Sequence, residues 1–266
     1  MSFNIRMNTA QDGINAWPNR KEIAAGTISF FGADIAGLQE ALRDQIRDLE
    51  ILLPEYAWVG VGRDDGREAG EFCPVFYRKD RFRLLDSGTF WLSESPDRPG
   101  LKGWDAACAR IVTWARLEDA GSRAVVTAYN THFDHVGERA RRESARLLRT
   151  KIAEAPPSDG VVVTGDFNCT ERDVAYAMMT AGDNGIPRLR DARADSIRPP
   201  YGSSYSFNGF QSGRKAGERI DFVFVGRTFE VLRSGILSDR WDERFVSDHF
   251  PAVAEIRLIR DFAPRR

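Results

Sequence analysis

The segment VVVTGDFNCT, residues 161–170, begins as a buried strand and ends in polar side chains. Its three consecutive valines are apolar and β-branched, which favours a strand inside a core. A glycine then permits a turn, and Asp166 and Asn168 follow on either side of a phenylalanine. Residues i and i+2 of an extended chain face the same side, so we expect both polar side chains to enter one space. The pair is either an ordinary turn, which Asp and Asn favour, or part of a site.

The composition is typical of a soluble globular protein. The chain has 266 residues, of which 42% are hydrophobic and 29% charged, enough for one large α/β domain or two small ones. The net charge of −1 argues against a protein that binds duplex DNA mainly by neutralising phosphates. Three cysteines without metal-type spacing argue against a disulfide scaffold.

No targeting or membrane-spanning segment is evident. No apolar run approaches the roughly 20 residues that cross a bilayer, and no signal peptide is recognisable. The sequence therefore predicts a cytoplasmic protein without a transmembrane segment. The first strand pattern begins directly at Met1, which also fits a start further upstream or a removed leader.

Strand-like and helix-like segments alternate along the chain. Helical periodicity is present at 19–31, 41–53 and 136–153, and a further short helix is predicted up to Ala181. Strands are predicted at 2–5, 34–40, 56–62, 73–78, 81–92, 107–117, 124–132, within the quoted segment, and at 219–225, 229–238 and 249–259. Residues 182–213 lack a regular pattern. Helical connections in the first half and hairpins in the second predict mixed sheets covered by helices, in one domain over residues 1–266.

Polar residues concentrate at the strand ends. All three histidines, His132, His135 and His249, stand close to aspartates there. The other polar residues at such positions are Asn4, Gln39, Glu40, Asp166, Asn168 and Asp221. Ligands of α/β folds collect at strand ends, and carboxylates that converge there need a cation or proton partners. An oxygen-rich set without thiolates suits Mg²⁺, Mn²⁺ or Ca²⁺.

This set of residues can support metal-assisted hydrolysis of a phosphoester. Glu40 would hold a divalent cation that neutralises phosphoryl charge. Asp221 would stabilise the imidazolium of His249 beside the phosphate. Asp166 would orient or deprotonate a water, and Asn168 would hydrogen-bond a phosphate oxygen.

Seven motifs of the chain resemble, in their order and rough spacing, those of the endonuclease/exonuclease/phosphatase superfamily. They are SFNIR, LQE, VFYR, NTHFDH, GDFN, RIDFVF and SDHFP, and together they cover essentially the whole chain. This superfamily includes deoxyribonucleases, apurinic/apyrimidinic endonucleases, deadenylases, neutral sphingomyelinases and inositol polyphosphate phosphatases. The resemblance implies a four-layer α/β sandwich, with two mixed β-sheets packed face to face and helices on both outer sides. It also implies one site that depends on Mg²⁺ or Mn²⁺.

The resemblance also implies a role for individual residues. Glu40 corresponds to the principal metal ligand, with Asn4 and Asp248 nearby. Asp166 and Asn168 correspond to the water-activating carboxylate and its phosphate-binding neighbour, and His249 with Asp221 to the catalytic pair on the phosphate side. His132 corresponds to a second, substrate-side histidine; the proton donor to the leaving oxygen is His132, His249 or metal-bound water.

Other polar residues of these motifs have two interpretations. Tyr77 and Arg110 stand where the family places phosphate-contacting side chains, but Tyr77 also fits a packed strand tyrosine and Arg110 a solvated strand arginine. We expect Asp134 and His135 to contact site residues rather than substrate. The arginines of the 136–153 helix are interpreted as a solvated face rather than a nucleic-acid surface.

The motifs do not specify the substrate. The chain has LQEALRD where apurinic/apyrimidinic endonucleases continue LQET, and its motifs are most similar to compact bacterial members. The main hypothesis is a phosphodiesterase or phosphatase acting on a small, sugar-linked or lipid-linked phosphoester. The alternatives are a nuclease acting on DNA or RNA, and a non-catalytic binding module on the same scaffold. The intact polar set argues against the last.

Overall fold

The computed structural model describes residues 1–182, 188–211, 217–241 and 244–259. In chain order the strands are β1 (Ser2–Asn4), β2 (Ile35–Gln39), β3 (Tyr56–Val59), β4 (Val75–Arg78), β5 (Phe82–Trp91), β6 (Ile111–Asp119), β7 (Val125–His132), β8 (Gly160–Asp166), β9 (Arg190–Asp191), β10 (Tyr201–Gly202), β11 (Asp221–Val225), β12 (Phe229–Ile236), β13 (Arg240–Trp241), β14 (Arg244–Phe245) and β15 (Ala252–Leu258). The α-helices are α1 (Lys21–Phe30), α2 (Arg43–Leu52), α3 (Glu138–Glu154) and α4 (Val174–Thr180).

Two large mixed sheets form the centre of the protein. The first has the strand order β10-β12-β15-β1-β2-β4-β3, and the second β5-β6-β7-β8-β11-β9. Strands β1 and β2 run parallel, as do β7 and β8. Parallel neighbours end at the same edge of a sheet, so the residues after these strands lie together.

The helices cover the outer faces of the two sheets, which confirms the predicted four-layer α/β sandwich. Ile28 of α1 and Leu49 of α2 pack in one buried cluster with Leu38 of β2. Leu148 of α3 packs in another with Phe222 of β11. The buried apolar residues recur at steps of three or four, as Ala25 and Ile28 do in α1 and Ile46 and Leu49 in α2, and this spacing places one face of the helix against the sheet.

Apolar side chains fill the layer between the sheets. Val162 and Val223 of the second sheet meet Val231 and Ile236 of the first. A second cluster joins Leu117 to Val75, Tyr77 and Phe82. The site is built at one edge of this layer, where β1, β2, β7 and β8 end.

The predicted elements agree with the structure in type and differ at their ends. The helix predicted at 136–153 begins at Glu138, because Asp134 binds the backbone N–H groups of Val136 and Gly137 and holds a turn there. Residues 182–213 contain the short strands β9 and β10, and parts of this segment lie outside the described ranges. Within the ranges given above, no helix is long and apolar enough to cross a membrane.

Candidate active site

The strand ends of both sheets meet in one cluster. Asn4 pairs with Gln39 at the end of β1 and β2, and His132 pairs with Asp166 at the end of β7 and β8. The antiparallel strand β11 places Asp221 opposite Asp166. The predicted site residues therefore come from both sheets, and their distances depend on how the sheets pack.

Asn4 connects the two halves of this cluster. Its Nδ2 lies 3.0 Å from Glu40 Oε1 and 3.0 Å from Asp166 Oδ2. Glu40 has a φ of +59°, a conformation that L-residues rarely adopt and that turns it out of β2. The backbone N–H of Met7 donates to Glu40 Oε2 at 3.2 Å. The carboxylate is thereby held beside the end of β1.

His249 and Asp221 form a buried pair. His249 Nδ1 lies 2.8 Å from Asp221 Oδ2, and His249 Nε2 lies 3.7 Å from Asp166 Oδ2. Burial alone would lower the pKa of His249, but the carboxylates of Asp221 and Asp166 raise that pKa well above its usual value. The two carboxylates therefore favour the cationic form of the imidazole.

Asp166 is almost completely buried. Its Oδ1 accepts a hydrogen bond of 3.0 Å from the backbone N–H of Asn168. Burial is the main cause, and the charge of Asp221 the second, that raise the pKa of Asp166 to about 7; the charge of His249 opposes this shift. A carboxylate with a pKa near neutrality can exchange a proton during a reaction.

His132 is the second buried imidazole of the cluster. Its Nε2 lies 3.0 Å from Asn168 Nδ2, which also donates to the carbonyl of Phe133 at 3.0 Å. Burial is the main cause, and the charge of Arg110 the second, that lower the pKa of His132 well below its usual value. His132 is therefore neutral and accepts at Nε2. Asn168 reaches it with a φ of +46°.

Arg6 is a member of this cluster that the sequence analysis missed, although it stands in the quoted motif SFNIR. Its guanidinium binds Asp12 with two hydrogen bonds of 3.0 and 3.1 Å. It also lies 3.8 Å from Glu40 Oε2 and 3.9 Å from Asp248 Oδ2. Burial raises the pKa of Asp248, and the charges of His249 and Arg6 oppose this shift.

The side chains of this cluster fit a divalent cation. Glu40, His132 and Asp166 each offer a ligand atom within 4.8 Å of the others. Asn4 contacts two of them through Nδ2, while its Oδ1 accepts from the backbone N–H of Arg6 at 2.9 Å, and Asp248 adds a carboxylate beside the Arg6 guanidinium. No thiolate is among these five residues. Hard cations such as Mg²⁺ and Mn²⁺ prefer such oxygen-rich surroundings.

Glu71 and Arg63 also lie beside His132, and both belong to the segment between the strands predicted at 56–62 and 73–78. Glu71 Oε2 lies 3.9 Å from His132 Nδ1 and accepts a 2.6 Å hydrogen bond from Arg63 Nη1. Arg63 directly follows the strand predicted at 56–62, so its position did carry the strand-end signal, whereas Glu71 precedes the next predicted strand and carried none.

Arg110 is buried, which corrects the interpretation as a solvated strand arginine. Its side chain is 5% exposed, with Nε 3.5 Å from Asp134 Oδ2 and Nη2 2.9 Å from His135 Nδ1. Its Nη1 has no hydrogen-bond partner. Asp134 in turn accepts from the backbone N–H groups of Ala107, Val136 and Gly137. An arginine with an unused buried donor is available to an anion.

Tyr77 does not join the cluster, which corrects its assignment to the site. It pairs with Ile35 at the opposite end of β2, five residues before Glu40, or about 16 Å along the strand. Its ring packs between the sheets with Leu117 and Phe82. Tyr77 is a core residue, the other interpretation that its motif allowed.

Two arginines of α3 depart from the predicted solvated face. Arg149 is buried and donates to the carbonyl of Met178 at 2.9 Å. Arg141 donates to the carbonyl of Asp134 at 3.0 Å, behind the site. Both bind backbone oxygens and therefore stabilise the fold.

Residues 203–211 support the site, although their sequence has no regular helix or strand pattern. The side chain of Asn208 donates to the carbonyl of Ser247 at 3.0 Å, and its backbone N–H donates to the backbone carbonyl of Asp248 at 2.8 Å. Ser206 Oγ accepts from the backbone N–H of Asp221 at 3.1 Å. This loop therefore holds the segments that carry Asp221, Asp248 and His249.

Comparisons with known proteins agree with this architecture. The model of the Endonuclease/Exonuclease/phosphatase family matches residues 1–249. An endonuclease/exonuclease/phosphatase from Bacteroides vulgatus is 44% identical, with a TM-score of 0.92 over 97% of each chain. The mannosyl-6-phosphatase Bt3783 of Bacteroides thetaiotaomicron is 33% identical, with a TM-score of 0.88 over 97% of this chain and 98% of that chain.

Curated relatives include Ccr4 proteins. The CCR4-Not complex 3′-5′-exoribonuclease subunit Ccr4 of Mycosarcoma maydis is 24% identical over 244 residues, covering 75% of this chain and 36% of that protein. Carbon catabolite repressor protein 4 homolog 5 of Arabidopsis thaliana is 36% identical over 180 residues, covering 63% of this chain and 38% of that protein. The chain thus spans about a third of the length of these relatives.

Proposed function

The chain belongs to the endonuclease/exonuclease/phosphatase family of phosphoester hydrolases, and on this basis we propose that it is a Mg²⁺- or Mn²⁺-dependent phosphatase or phosphodiesterase acting on a small, sugar- or lipid-linked phosphoester. One observation carries the proposal. Asn4 Nδ2 contacts both Glu40 and Asp166, and His249 Nε2 lies 3.7 Å from the same Asp166 oxygen. A cation site, a water-orienting carboxylate and a cationic imidazole are therefore within reach of one phosphoryl group.

Glu40, Asn4 and Asp248 would hold the cation. Bound there, it would neutralise charge on the phosphoryl oxygens. The crowding of Glu40 and Asp248 around the Arg6 guanidinium, at 3.8 and 3.9 Å, supports this assignment. Arg6 carries one charge and supplies only part of what these carboxylates require.

Asp166 would orient the attacking water and accept its proton. Two hydrogen bonds, from the Asn168 backbone and from Asn4, fix its carboxylate in one orientation. Its pKa of about 7 makes it a base of suitable strength near neutral pH. As the water oxygen bonds to phosphorus, its proton moves to Asp166 and the bond from phosphorus to the leaving oxygen breaks.

His249 would donate a hydrogen bond to the phosphoryl group and a proton to the leaving oxygen. Asp221 holds Nδ1 at 2.8 Å, so Nε2 is the nitrogen left for the substrate. The raised pKa of His249 provides the proton. His132 is neutral and its Nε2 already accepts from Asn168, so it is less suited to protonate the leaving oxygen; its Nδ1–H, which has no hydrogen-bond partner among the described residues, is left to donate to a substrate oxygen.

Asn168 and Arg110 would complete the substrate contacts. Asn168 Nδ2 lies against His132 Nε2 and faces the same cluster. The unpartnered Nη1 of Arg110 is a charged donor that a phosphoryl oxygen would satisfy.

A sugar phosphate is the leading substrate class. The similar Bacteroides thetaiotaomicron protein is named a mannosyl-6-phosphatase and matches this chain over nearly its whole length. The net charge of −1 also fits a small anionic substrate better than a nucleic-acid backbone. The second candidate is a nuclease, favoured by the similarity to the Ccr4 exoribonuclease subunit.

Substrate profiling tests the proposal. We would assay the Mn²⁺-loaded protein with mannose 6-phosphate, p-nitrophenyl phosphate, bis-(p-nitrophenyl) phosphate, a phospholipid, plasmid DNA and poly(A) RNA. We expect turnover of at least one of the first four, abolished in Asp166→Ala. Turnover of DNA or RNA alone, with a steep salt dependence, would establish the nuclease instead. Activity that persists in Asp166→Ala would contradict the assigned site.

A further inference from the structure

A group of buried polar side chains crosses the space between the two sheets beneath the site. Asn130 of β7 is at its centre, with Gln39 of β2 and Thr164 of β8 on either side; we call these three residues the polar bridge. We propose that Asn130 is a positioning residue that sets the distance between the two halves of the active site. This inference rests on the function proposed above.

Asn130 uses its full hydrogen-bonding capacity. Its Oδ1 accepts from Gln39 Nε2 at 2.6 Å and lies 3.0 Å from Thr164 Oγ1. Its Nδ2 donates to the carbonyls of Leu38 at 2.6 Å and Pro74 at 3.0 Å. An amide has two acceptor positions and two donor hydrogens, and each of the four faces a partner, although the one hydroxyl hydrogen of Thr164 is shared with the carbonyl of Tyr129 at 3.2 Å. Three of these four bonds connect the second sheet to the first sheet or its adjoining loop.

Each member of the bridge lies next to a site residue along its strand. Asn130 and His132 are two residues apart in β7, and Thr164 and Asp166 two residues apart in β8. Such residues face the same side of a strand. Gln39 directly precedes Glu40. A displacement at the bridge is therefore passed along three short pieces of strand to Glu40, His132 and Asp166, the three residues that offer ligand atoms to a cation.

Apolar packing alone does not fix this distance as closely. The remaining layer between the sheets is filled by side chains such as Val162, Val223 and Val231, whose contacts have no preferred direction. Hydrogen bonds fix both distance and angle. The bridge is also closely packed, because a Cβ added at Gly37 would overlap both Thr164 and Asn130.

A bridge that only stabilised the protein would have different consequences. Its loss would lower the free energy of unfolding and leave the folded molecules with normal geometry and turnover. Loss of a positioning role changes the folded molecules themselves, because a displacement of about 1 Å at reacting groups can cost about 100-fold in rate. The two roles are therefore separated by measurements on the folded protein.

Thr164 offers the mildest test. Thr164→Val removes the hydroxyl and keeps the shape, and Thr164→Ser keeps the hydroxyl. We would record the imidazole ¹⁵N signals of the three histidines without metal, the Mn²⁺ dissociation constant by calorimetry, and kcat and KM. We expect Thr164→Val to shift the His132 and His249 signals, weaken Mn²⁺ binding about tenfold and lower kcat more than it raises KM. Thr164→Ser should restore wild-type values.

Asn130→Ala gives the larger effect, and Leu117→Ala is its matched control. Leu117 is fully buried in the same layer, in the cluster that contains Tyr77 and Phe82, so its truncation destabilises the protein away from the site. Both variants are measured at a temperature at which each is folded by circular dichroism. We expect a kcat about 100-fold lower in Asn130→Ala and an unchanged kcat in Leu117→Ala.

Unchanged histidine signals in both Thr164→Val and Asn130→Ala would overturn the proposal. If Asn130→Ala does not fold, the Thr164 pair alone decides. The histidine signals need neither metal nor substrate, so they test the bridge even if no substrate is turned over. Absence of metal binding and turnover in the wild-type protein would overturn the proposed function and leave the signal comparison intact.

Discussion

His249 and Asp221 form a 2.8 Å hydrogen bond between two buried side chains that are 28 positions apart in the sequence. The bond fixes Nδ1 of the imidazole, and Nε2 lies 3.7 Å from Asp166. Because two carboxylates face one imidazole in a buried setting, the ring is held as a cation. The predictions on activity below depend on this charge and on the neighbouring acidic cluster.

Asp221→Asn should remove most of the activity. An amide cannot stabilise the imidazolium of His249, and general acid–base catalysis is typically worth 100- to 10,000-fold. We expect kcat to fall within this range, with a smaller change in KM. Glu255→Gln, which breaks an exposed ion pair with Arg233, is the control and should leave kcat unchanged. Equal kcat values in the two variants would refute the role of the pair.

Removal of divalent metal should abolish turnover. Dialysis against EDTA should give an inactive protein that regains activity with Mg²⁺ or Mn²⁺. Glu40→Gln removes one anionic ligand, so the Mn²⁺ concentration for half-maximal activity should rise at least about tenfold. Full activity in EDTA would contradict the proposed metal dependence. A wild-type metal requirement in Glu40→Gln would contradict only the ligand assignment.

Asp134 should contribute to stability at neutral pH and lose its contribution in acid. Burial raises its pKa, but the N–H groups of Gly137, Ala107 and Val136 and the charge of Arg110 outweigh burial and lower that pKa to about 2. Because the pKa is lowered on folding, the carboxylate stabilises the protein at pH values above the unfolded pKa of about 3.9. This stabilisation is lost as the pH falls through about 2. Asp134→Asn should therefore cost about 1–2 kcal/mol at pH 7.

Urea denaturation at a series of pH values measures this effect. The difference in unfolding free energy between wild type and Asp134→Asn should narrow as the pH falls from 4 to 2. A difference that stays constant over this interval would show that the carboxylate charge contributes nothing.

Two glycine substitutions should act in opposite directions. A Cβ at Gly37 would meet Thr164 and Asn130, so Gly37→Ala should lower the unfolding free energy by about 2 kcal/mol or more. Gly26 lies exposed in α1 with open space around its Cα, so Gly26→Ala should raise it by about 0.5–1 kcal/mol. Thermal unfolding of both variants tests this; a stabilising Gly37→Ala would show that the sheets can separate there.

Much of the fold and part of the site could be predicted from the sequence. Periodicity placed the helices and strands, because each depends on residues only two to four positions apart. The ordered strand-end motifs predicted the family, and Asn4, Glu40, Asp166, Asn168, Asp221 and His249 do lie together. Their catalytic roles, and the single domain over residues 1–266, stay predictions.

The tertiary structure decided what these local patterns left open. VFYR allowed Tyr77 to contact a phosphate or to pack in the core, and the register with Ile35 places it in the core. The partners of Arg110 and the presence of Glu71 beside His132 likewise follow from folding. Asn130 and Gln39 are 91 positions apart, and their 2.6 Å bond exists only once the sheets pack. The sequence by itself determined the longer strands and the polar residues that end them, but not the two-residue strands β9, β10, β13 and β14. Packing of the two sheets decided which of those residues meet, because contacts between distant positions have no local signal.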